Sequence, residues 1–182
     1  PYDVKGLLIQ AVHDDDPVVF LEHKTLYGLE GEVPDEAYTI RFGEANVTRK
    51  GSDVPIVAFS AMVHKANEAA ASLAKDGVSV EVIDPRTTSP LDEQTILESV
   101  KKTGRLIVVD EANPRCNMAC DVAALAAERA FDNLKAPVMR VTAPHTPVPF
   151  APPLEDAYIP SVKKIEEALW SVMGRRNKAP AC

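Results

Sequence analysis

Short apolar runs alternate along the chain with longer segments whose apolar residues recur every three or four positions. The runs predict strands at Val18–Glu22, Ala45–Arg49, Pro55–Ser60, Val78–Ile83, Leu106–Val109 and Val138–Thr142. The periodic segments predict helices at Gly6–Asp16, Ala61–Lys75, Ser89–Lys102, Ala119–Ala130 and Ser161–Met173. This alternation favours βαβ units, so we expect a three-layer α/β fold with a mainly parallel sheet.

One edge of this sheet is expected to be antiparallel. The runs Ala45–Arg49 and Pro55–Ser60 flank a polar turn, Lys50-Gly51-Ser52-Asp53. Two short runs joined by a turn that contains glycine are typical of an antiparallel hairpin. The pattern therefore predicts that these two strands pair with each other.

The connector after the run Leu106–Val109 is the best place to look for function. This unbroken apolar run is typical of a strand that is buried on both faces. Asp110 and Glu111 follow it directly, and a turn-rich stretch, Asn113–Asn117, then leads into the next predicted helix. Ligands of open parallel sheets usually bind at the carboxyl ends of strands, where this connector would lie.

Two of the predicted helices are rich in alanine. One contains Ala66, Ala69, Ala70, Ala71 and Ala74, and the other has six alanines between Ala119 and Ala130. Small side chains permit close approach of a helix to its neighbour. The sequence leaves open whether that neighbour is the core of the same chain or another subunit.

Composition excludes several classes of protein. A hydrophobic content of 46% with 26% charged residues is globular, and the net charge of −7 argues against a nucleic-acid partner. No apolar run approaches the roughly 20 residues of a membrane span, so we expect no membrane partner. Three cysteines form no disulfide framework, which suits a reducing compartment and predicts a cytoplasmic protein.

No catalytic motif stands out among the chemistry-bearing side chains. Cys116 and Cys120 lack further metal ligands at a suitable spacing, so we interpret them as small buried residues. His145 is the most site-like of the four histidines, but a structural or interface role explains it as well. No glycine-rich phosphate loop follows any predicted strand, which disfavours a dinucleotide site.

The sequences and the order of four stretches resemble those of a known family. GLLIQAVHDDDPVVFLEHKTLYG resembles the end of the pyrimidine-binding domain in beta subunits of thiamine-diphosphate-dependent 2-oxo acid dehydrogenases. VEVIDPRTTSPLDEQTILESVKKTGRLIVVDEA resembles the transketolase C-terminal-like domain of those subunits. DEANPRCNMACDVAALAAERAF and PHTPVPFAPPLEDAYIPS resemble the acetoin dehydrogenase branch most closely.

The resemblance implies a division of the chain. Residues 1–24 would be the remnant of a pyrimidine-binding domain, and the linker 25–41 is rich in acids, glycine and proline. Residues 42–173 would form the transketolase-C-like domain, and 174–182 a tail. On this division most of the first domain is missing from the chain.

The resemblance also implies a cofactor and partners. The holoenzyme would be an α2β2 oxidoreductase in a multienzyme complex, with thiamine diphosphate and magnesium held between an alpha subunit and the beta subunit. It would decarboxylate a 2-oxo acid, or cleave acetoin, and pass the acyl group to a lipoyl acyltransferase component. The family's catalytic residues match no position here, so we name no catalytic and no cofactor-binding residue and expect this chain alone to be inactive.

Two further family features map onto residues of this chain. A potassium ion would be bound at the end of the first helix by Ala11, Val12, Asp14 and Asp16, through carbonyl and carboxylate oxygens. The domain would also pair with a second beta subunit and dock the acyltransferase near Asn133–Met139. Lys135 lies in that neighbourhood, where some relatives are acidic. A non-catalytic assembly module, or a pyruvate or branched-chain 2-oxo acid enzyme, remain alternatives.

Overall fold

The computed structural model describes residues 1–174. It contains one five-stranded sheet, made of β1 (Asn46–Arg49), β2 (Val54–Ala58), β3 (Val80–Asp84), β4 (Ile107–Val109) and β5 (Met139–Val141). The strand order is β1-β3-β2-β4-β5, and only β1 is antiparallel to its neighbour. The expected mainly parallel sheet with an antiparallel edge strand is confirmed.

Helices cover both faces of this sheet and make three layers. The helices are α1 (Tyr2–His13), α2 (Ala61–Ala74), α3 (Glu93–Thr103), α4 (Met118–Arg129), α5 (Pro152–Tyr158) and α6 (Val162–Val172). One apolar core lies between the sheet and the pair α2 and α6, and a second lies between the sheet and the pair α3 and α4. Successive residues of β2 belong to opposite cores, since side chains of a strand alternate between faces.

The predicted hairpin is wrong. β1 pairs with β3 in the antiparallel sense, and β2 pairs with the opposite edge of β3 in the parallel sense. The connection 50–53 therefore crosses the amino end of β3, where Asp53 N donates to Ser79 O at 2.8 Å and Ser79 N donates to Asp53 Oδ2 at 2.8 Å. Gly51 fits this crossing because a Cβ there would lie 2.3 Å from Glu81 N. Pairing with β3, which begins 34 positions after β1 does, replaces the predicted local pairing.

The strand predicted at Val18–Glu22 is also absent from the described chain. These residues form no ladder, and Val19 and Leu21 are 83% and 88% exposed. A strand needs a neighbour for its backbone groups, and within residues 1–174 no strand lies beside this segment. The run is apolar as predicted, but among residues 1–174 no neighbouring strand pairs with its backbone.

Helix α1 packs against a later stretch of the chain, residues 34–40. Tyr2 and Tyr38 stack with ring centroids 4.6 Å apart, and the Tyr38 hydroxyl donates to Tyr2 O at 2.7 Å. Ile40 N donates to Gly6 O at 3.2 Å, and a Cβ on Gly6 would lie 2.6 Å from the Ile40 side chain. The absence of a side chain at Gly6 thus allows the helix and this stretch to touch.

Helix α3 is capped at both ends as its sequence suggests. The Asp92 carboxylate accepts hydrogen bonds from Thr95 N at 3.0 Å and from Ala45 N at 2.9 Å, which ties the β1 edge to the start of α3. Burial works to raise the pKa of Asp92, but these bonds and one from the Thr95 hydroxyl outweigh it and lower the pKa. Gly104 ends the helix in the left-handed conformation at φ +75°.

The proline-rich passage contains a helix that the sequence reading missed. Helix α5 begins at Pro152, and prolines occupy its first two positions. Proline suits the first turn, because its fixed φ is helical and its missing N–H has no intrahelical partner there. Phe150, just before this helix, is fully exposed.

The alanines divide between the core and the surface. Ala66, Ala69 and Ala70 are fully buried where α2 packs on the sheet and α6, and Ala119 and Ala126 are fully buried on α4. Ala71 and Ala74 are exposed. The core of this chain therefore explains part of the pattern, and a subunit contact for the exposed alanines stays a prediction. Of the expected tail, residues 175–182, including Cys182, lie outside the described residues.

Candidate functional site at the carboxyl edge of the sheet

The connections at the carboxyl edge of the sheet contain unusual backbone conformations. Ser60 follows β2 with φ 51°, Arg86 follows β3 with φ 61°, and Cys116 lies between β4 and α4 with φ 52°. Within residues 1–174 these are the non-glycine residues with positive φ. Positive φ is uncommon for residues with a side chain and clusters at functional sites. The backbone geometry therefore agrees with the sequence reading that this edge is the place to look.

The strand order places a crevice at this edge. The chain leaves β2 for β3 on one side, while it leaves β4 for β5 on the other. Connections that diverge from two adjacent parallel strands open a crevice between their carboxyl ends, where open α/β sheets bind ligands. The residues nearest to that point are Phe59 and Ser60 after β2, and Asp110 and Glu111 after β4.

Asp110 ends β4 and organises the connector. It is 8% exposed, and its Oδ1 accepts a hydrogen bond from Ala112 N at 3.0 Å. Its backbone N–H donates to Val141 O at 3.1 Å, which extends the pairing of β4 with β5 by one residue. Asp110 thus stabilises the turn that follows β4. The side chain of the next residue, Glu111, contacts His23 instead.

Glu111 forms a hydrogen-bonded chain with two residues from the N-terminal part of the molecule. His23 Nε2 lies 2.7 Å from Glu111 Oε1, and His23 Nδ1 lies 2.8 Å from the Thr25 hydroxyl. The His23 and Glu111 side chains are 21% and 34% exposed. The sequence pointed to the connector that contains Glu111 but not to His23, and no local pattern could have joined two residues 88 positions apart.

A second charged cluster lies after β3. The Arg86 guanidinium, 13% exposed, pairs with Asp3 of α1, with 2.6 Å between Nη2 and Oδ1. Asp84 Oδ1 accepts from Arg86 N at 2.9 Å. Burial raises the pKa of Asp84, and the Asp3 charge adds to this, while Arg86 and His64 work in the opposite direction. The carboxyl edge therefore contacts the N-terminal region at two places.

The two cysteines of the connector are not both buried, so that expectation is wrong. Cys116 is exposed, and Cys120 is half-buried in the first turn of α4. Cys120 Sγ lies 2.8 Å from Arg140 Nη1, and Cys120 N donates to the N-cap Asn117 Oδ1 at 2.9 Å. Cys116 is exposed because the turn-rich connector lies outside both apolar cores.

Of the remaining histidines, His64 lies near enough to Asp84 at this edge to lower its pKa. His13, His64 and His145 are exposed. In the part of the chain that the structure describes, no group of three His, Cys, Asp or Glu side chains is placed to hold a metal ion. The same part contains no helix that is long and apolar enough to cross a membrane.

The four residues predicted to hold potassium lie together at the end of α1. Ala11 and Val12 belong to its last turn, and Asp14 is its C-cap. The carbonyls of a last helical turn have no intrahelical partner, so they suit a cation. Asp16 N donates to Asp14 Oδ1 at 3.1 Å, which bends the chain so that both acids stay near the helix end. The donor set fits a hard monovalent cation, and occupancy stays a prediction.

A family model covers most of the sheet domain. The model described as "Transketolase, C-terminal domain" matches residues 43–165. This chain belongs to the transketolase C-terminal domain family. The family match begins just before β1 and includes the carboxyl edge described above.

Curated relatives extend the match to nearly the whole chain. "Acetoin:2,6-dichlorophenolindophenol oxidoreductase subunit beta" of Cupriavidus necator is 62% identical over 173 residues, which are 95% of this chain and 51% of that protein. "Pyruvate dehydrogenase E1 component subunit beta" of Bacillus subtilis is 51% identical over 174 residues, 95% of this chain and 53% of that protein. The chain therefore spans about half the length of these curated relatives.

A solved structure supports the fold. A protein titled "Split gene transketolase, inactive beta4 tetramer" matches with a TM-score of 0.66 and 25% identity, over 81% of this chain and 47% of that chain. The similarity over 81% of this chain agrees with the α/β fold described above.

Proposed function

We propose that this chain acts as the C-terminal part of the beta subunit of an acetoin-cleaving, thiamine-diphosphate-dependent dehydrogenase. The single observation that carries the proposal is the 62% identity to an acetoin oxidoreductase beta subunit over 95% of the chain. The identity to a pyruvate dehydrogenase E1 beta subunit is lower, at 51%. In such an enzyme thiamine diphosphate would supply the nucleophilic chemistry for cleavage of the substrate.

The proposed role of this chain in the enzyme is assembly. Its two cores are closed around the sheet, whereas its N-terminal residues leave apolar side chains exposed, including Val12 at 77% and Leu21 at 88%. Exposed apolar groups of this kind are typical of a surface that another polypeptide covers. This supports the division into a domain remnant at 1–24, a linker at 25–41 and the sheet domain at 42–173.

Magnesium, thiamine diphosphate and the alpha subunit belong to the same proposal. We assign no residue of this chain to the diphosphate or to magnesium, and we expect them to be held by the alpha subunit and the rest of the beta subunit. Potassium is proposed at the end of α1, bound by Ala11, Val12, Asp14 and Asp16. The enzyme is proposed to work in the cytoplasm.

The surface proposed to dock the acyltransferase component lies after α4. Phe131 is 72% exposed there, and Lys135 is exposed as well. Lys135 N donates to Gly104 O at 2.7 Å, and a Cβ on Gly104 would lie 2.7 Å from Lys135 Cδ. The stem of Lys135 thus rests on Gly104, which holds the base of this side chain in place. The sheet domain is also proposed to pair with its copy in a second beta subunit.

The test is a substrate panel on a reconstituted enzyme. The beta polypeptide, extended to the length of its relatives, is purified with an alpha subunit, thiamine diphosphate and magnesium. Reduction of 2,6-dichlorophenolindophenol is then followed with acetoin, pyruvate and a branched-chain 2-oxo acid. We expect kcat/KM for acetoin to exceed that for the oxo acids at least tenfold, which corresponds to about 1.4 kcal/mol of transition-state discrimination.

The 182-residue chain is the matched control. Mixed with the same alpha subunit it should give no dye reduction, and calorimetry should show no micromolar binding of thiamine diphosphate with magnesium. Faster turnover of pyruvate or of the branched-chain acid would assign the chain to that enzyme instead. No turnover of any substrate by the extended polypeptide would favour a non-catalytic assembly module.

A further inference from the structure

The segment 14–33 joins α1 to the stretch that packs back on it. It contains one short 3₁₀ turn, Lys24–Leu26, and no strand. Its backbone hydrogen bonds are local, such as Leu26 N to His23 O at 2.9 Å and Tyr27 N to Lys24 O at 3.2 Å. The segment therefore has little of its own to fix its position on the sheet domain.

Within residues 1–174, the segment makes a single hydrogen-bonded contact with the sheet domain, and this is the pair His23 and Glu111. The neighbouring Tyr27 hydroxyl donates to Glu22 at 3.1 Å, which is a bond inside the segment. Val19 and Leu21, four and two residues before His23, are largely exposed and contribute little packing, and Phe20 between them is half-buried. The His23–Glu111 pair is thus positioned to decide where the segment lies.

The side chains of Thr25, His23 and Glu111 can form a chain in which each hydrogen bond is donated toward Glu111. With the imidazole proton on Nε2, His23 donates to Glu111 Oε1 at 2.7 Å and its Nδ1 accepts from the Thr25 hydroxyl at 2.8 Å. The Glu111 carboxylate can only accept, so it favours this tautomer, and the Thr25 hydroxyl helps to orient the ring from its other side. Glu111 is held by the end of β4, a buried strand of the sheet, so the acceptor is attached to a rigid element.

We propose that His23 and Glu111 form a latch that holds the segment 14–33 against the carboxyl edge of the sheet. The latch closes over the crevice between β2 and β4 from the β4 side. It also fixes the direction in which Val19 and Leu21 are presented to whatever covers them. The inference concerns this chain alone and does not rest on the proposed function.

Trypsin cleavage after Lys24 reports on the latch, because Lys24 directly follows His23 and cleavage requires the turn to open. The variants are His23→Ala, Glu111→Ala and the double variant in the 182-residue chain. Each cleavage rate in native buffer is divided by the rate for the same variant in urea, which removes the effect of the altered sequence on the protease. Each single variant should raise this ratio about tenfold, the size expected for loss of a hydrogen bond to a charged group.

The double variant measures the coupling. It should be cleaved no faster than the faster single variant, because either substitution already opens the latch. Glu111→Gln, which keeps an acceptor oxygen but removes the charge, should give a smaller increase of about threefold. Glu30→Ala, in the same exposed segment, is the control and should leave the ratio unchanged.

Hydrogen exchange separates opening of the latch from unfolding of the domain. Amides of residues 14–33 should exchange faster in Glu111→Ala, while those of β2 keep the parental rate. The proposal is overturned when both single variants stay within twofold of the parent. It is equally overturned when their effects multiply in the double variant, since that outcome means the two side chains act independently.

Discussion

The sheet domain and the N-terminal region use apolar side chains in opposite ways. In the sheet domain, β2, β3 and β4 lie between two layers of helices, and Ile56, Val82 and Ile107 are fully buried. In the N-terminal region, α1 packs on residues 34–40 and pairs with Arg86 through Asp3, while Val12, Val19 and Leu21 remain exposed. Burial contributes roughly 25 cal/mol per Å² of apolar surface. The first region is therefore stabilised from within, while the second depends on contacts made elsewhere.

The largest test of this contrast compares two leucines. Leu106 is fully buried beside β4, and Leu21 is 88% exposed. Leu106→Ala should lower the free energy of unfolding by about 2–5 kcal/mol, because it removes buried surface and leaves a cavity. Leu21→Ala should change it by less than about 0.5 kcal/mol. Urea denaturation followed by far-UV circular dichroism measures both, and similar losses in the two variants would contradict the contrast.

A smaller test lies where the two regions meet. Burial raises the pKa of Asp84 above its ordinary 3.8, and Asp3 of α1 adds to that effect. An acid whose pKa is raised by folding contributes stability below its unfolded pKa and loses it as the pH rises through the folded pKa. Asp84→Asn keeps an acceptor for Arg86 N but carries no charge. We expect it to stabilise the fold by on the order of 1 kcal/mol at pH 7.

The gain in stability expected for Asp84→Asn should depend on pH. The advantage of Asp84→Asn should shrink as the pH falls and vanish below about 3.8, where the carboxyl group is protonated in both states. Asp76→Asn, at an exposed turn after α2, is the matched control for removal of one negative charge. Chemical denaturation at several pH values measures the difference. A loss of stability at pH 7 would show that attraction to Arg86 outweighs the cost of burial.

The sequence predicts the location of strands and helices better than it predicts which strands pair. Strands such as Leu106–Val109 and helices such as Ser89–Lys102 could be located within a few residues, because their apolar spacing and caps are local signals. The pairing of β1 could not, since its partner β3 begins 34 positions after β1 does. The fold class was recovered although one strand pairing was wrong, because the alternation of strands and helices does not depend on that pairing.

The candidate site was predicted only in part for the same reason. The sequence pointed to the connector after β4, and the structure places Asp110, Glu111 and Cys116 there. It did not point to His23 or Arg86, because their partners come from distant parts of the chain. The apolar run Val18–Glu22 predicted a buried strand, and the contacts that would bury it are not among residues 1–174. An apolar run therefore identifies side chains that are suited to burial, but it does not identify the residues that would bury them.

The smallest expected effect concerns potassium in the N-terminal region. If Ala11, Val12, Asp14 and Asp16 bind the ion, it should stabilise the end of α1 without changing the sheet domain. At a potassium concentration equal to the dissociation constant, the gain is about 0.4 kcal/mol, or a twofold slowing of amide exchange. Hydrogen exchange of residues 2–16 in KCl and in NaCl at equal ionic strength measures it.

Neighbouring aspartates provide the control for the potassium test. Asp16→Ala should remove the difference between the two salts, because it deletes a proposed ligand. Asp15→Ala changes the net charge equally but deletes none, so the difference should persist. If amide exchange in the unsubstituted chain is equal in KCl and NaCl at every salt concentration tested, the proposed potassium site is wrong. The α1 end would then be held by Asp14 and Asp16 through their own hydrogen bond.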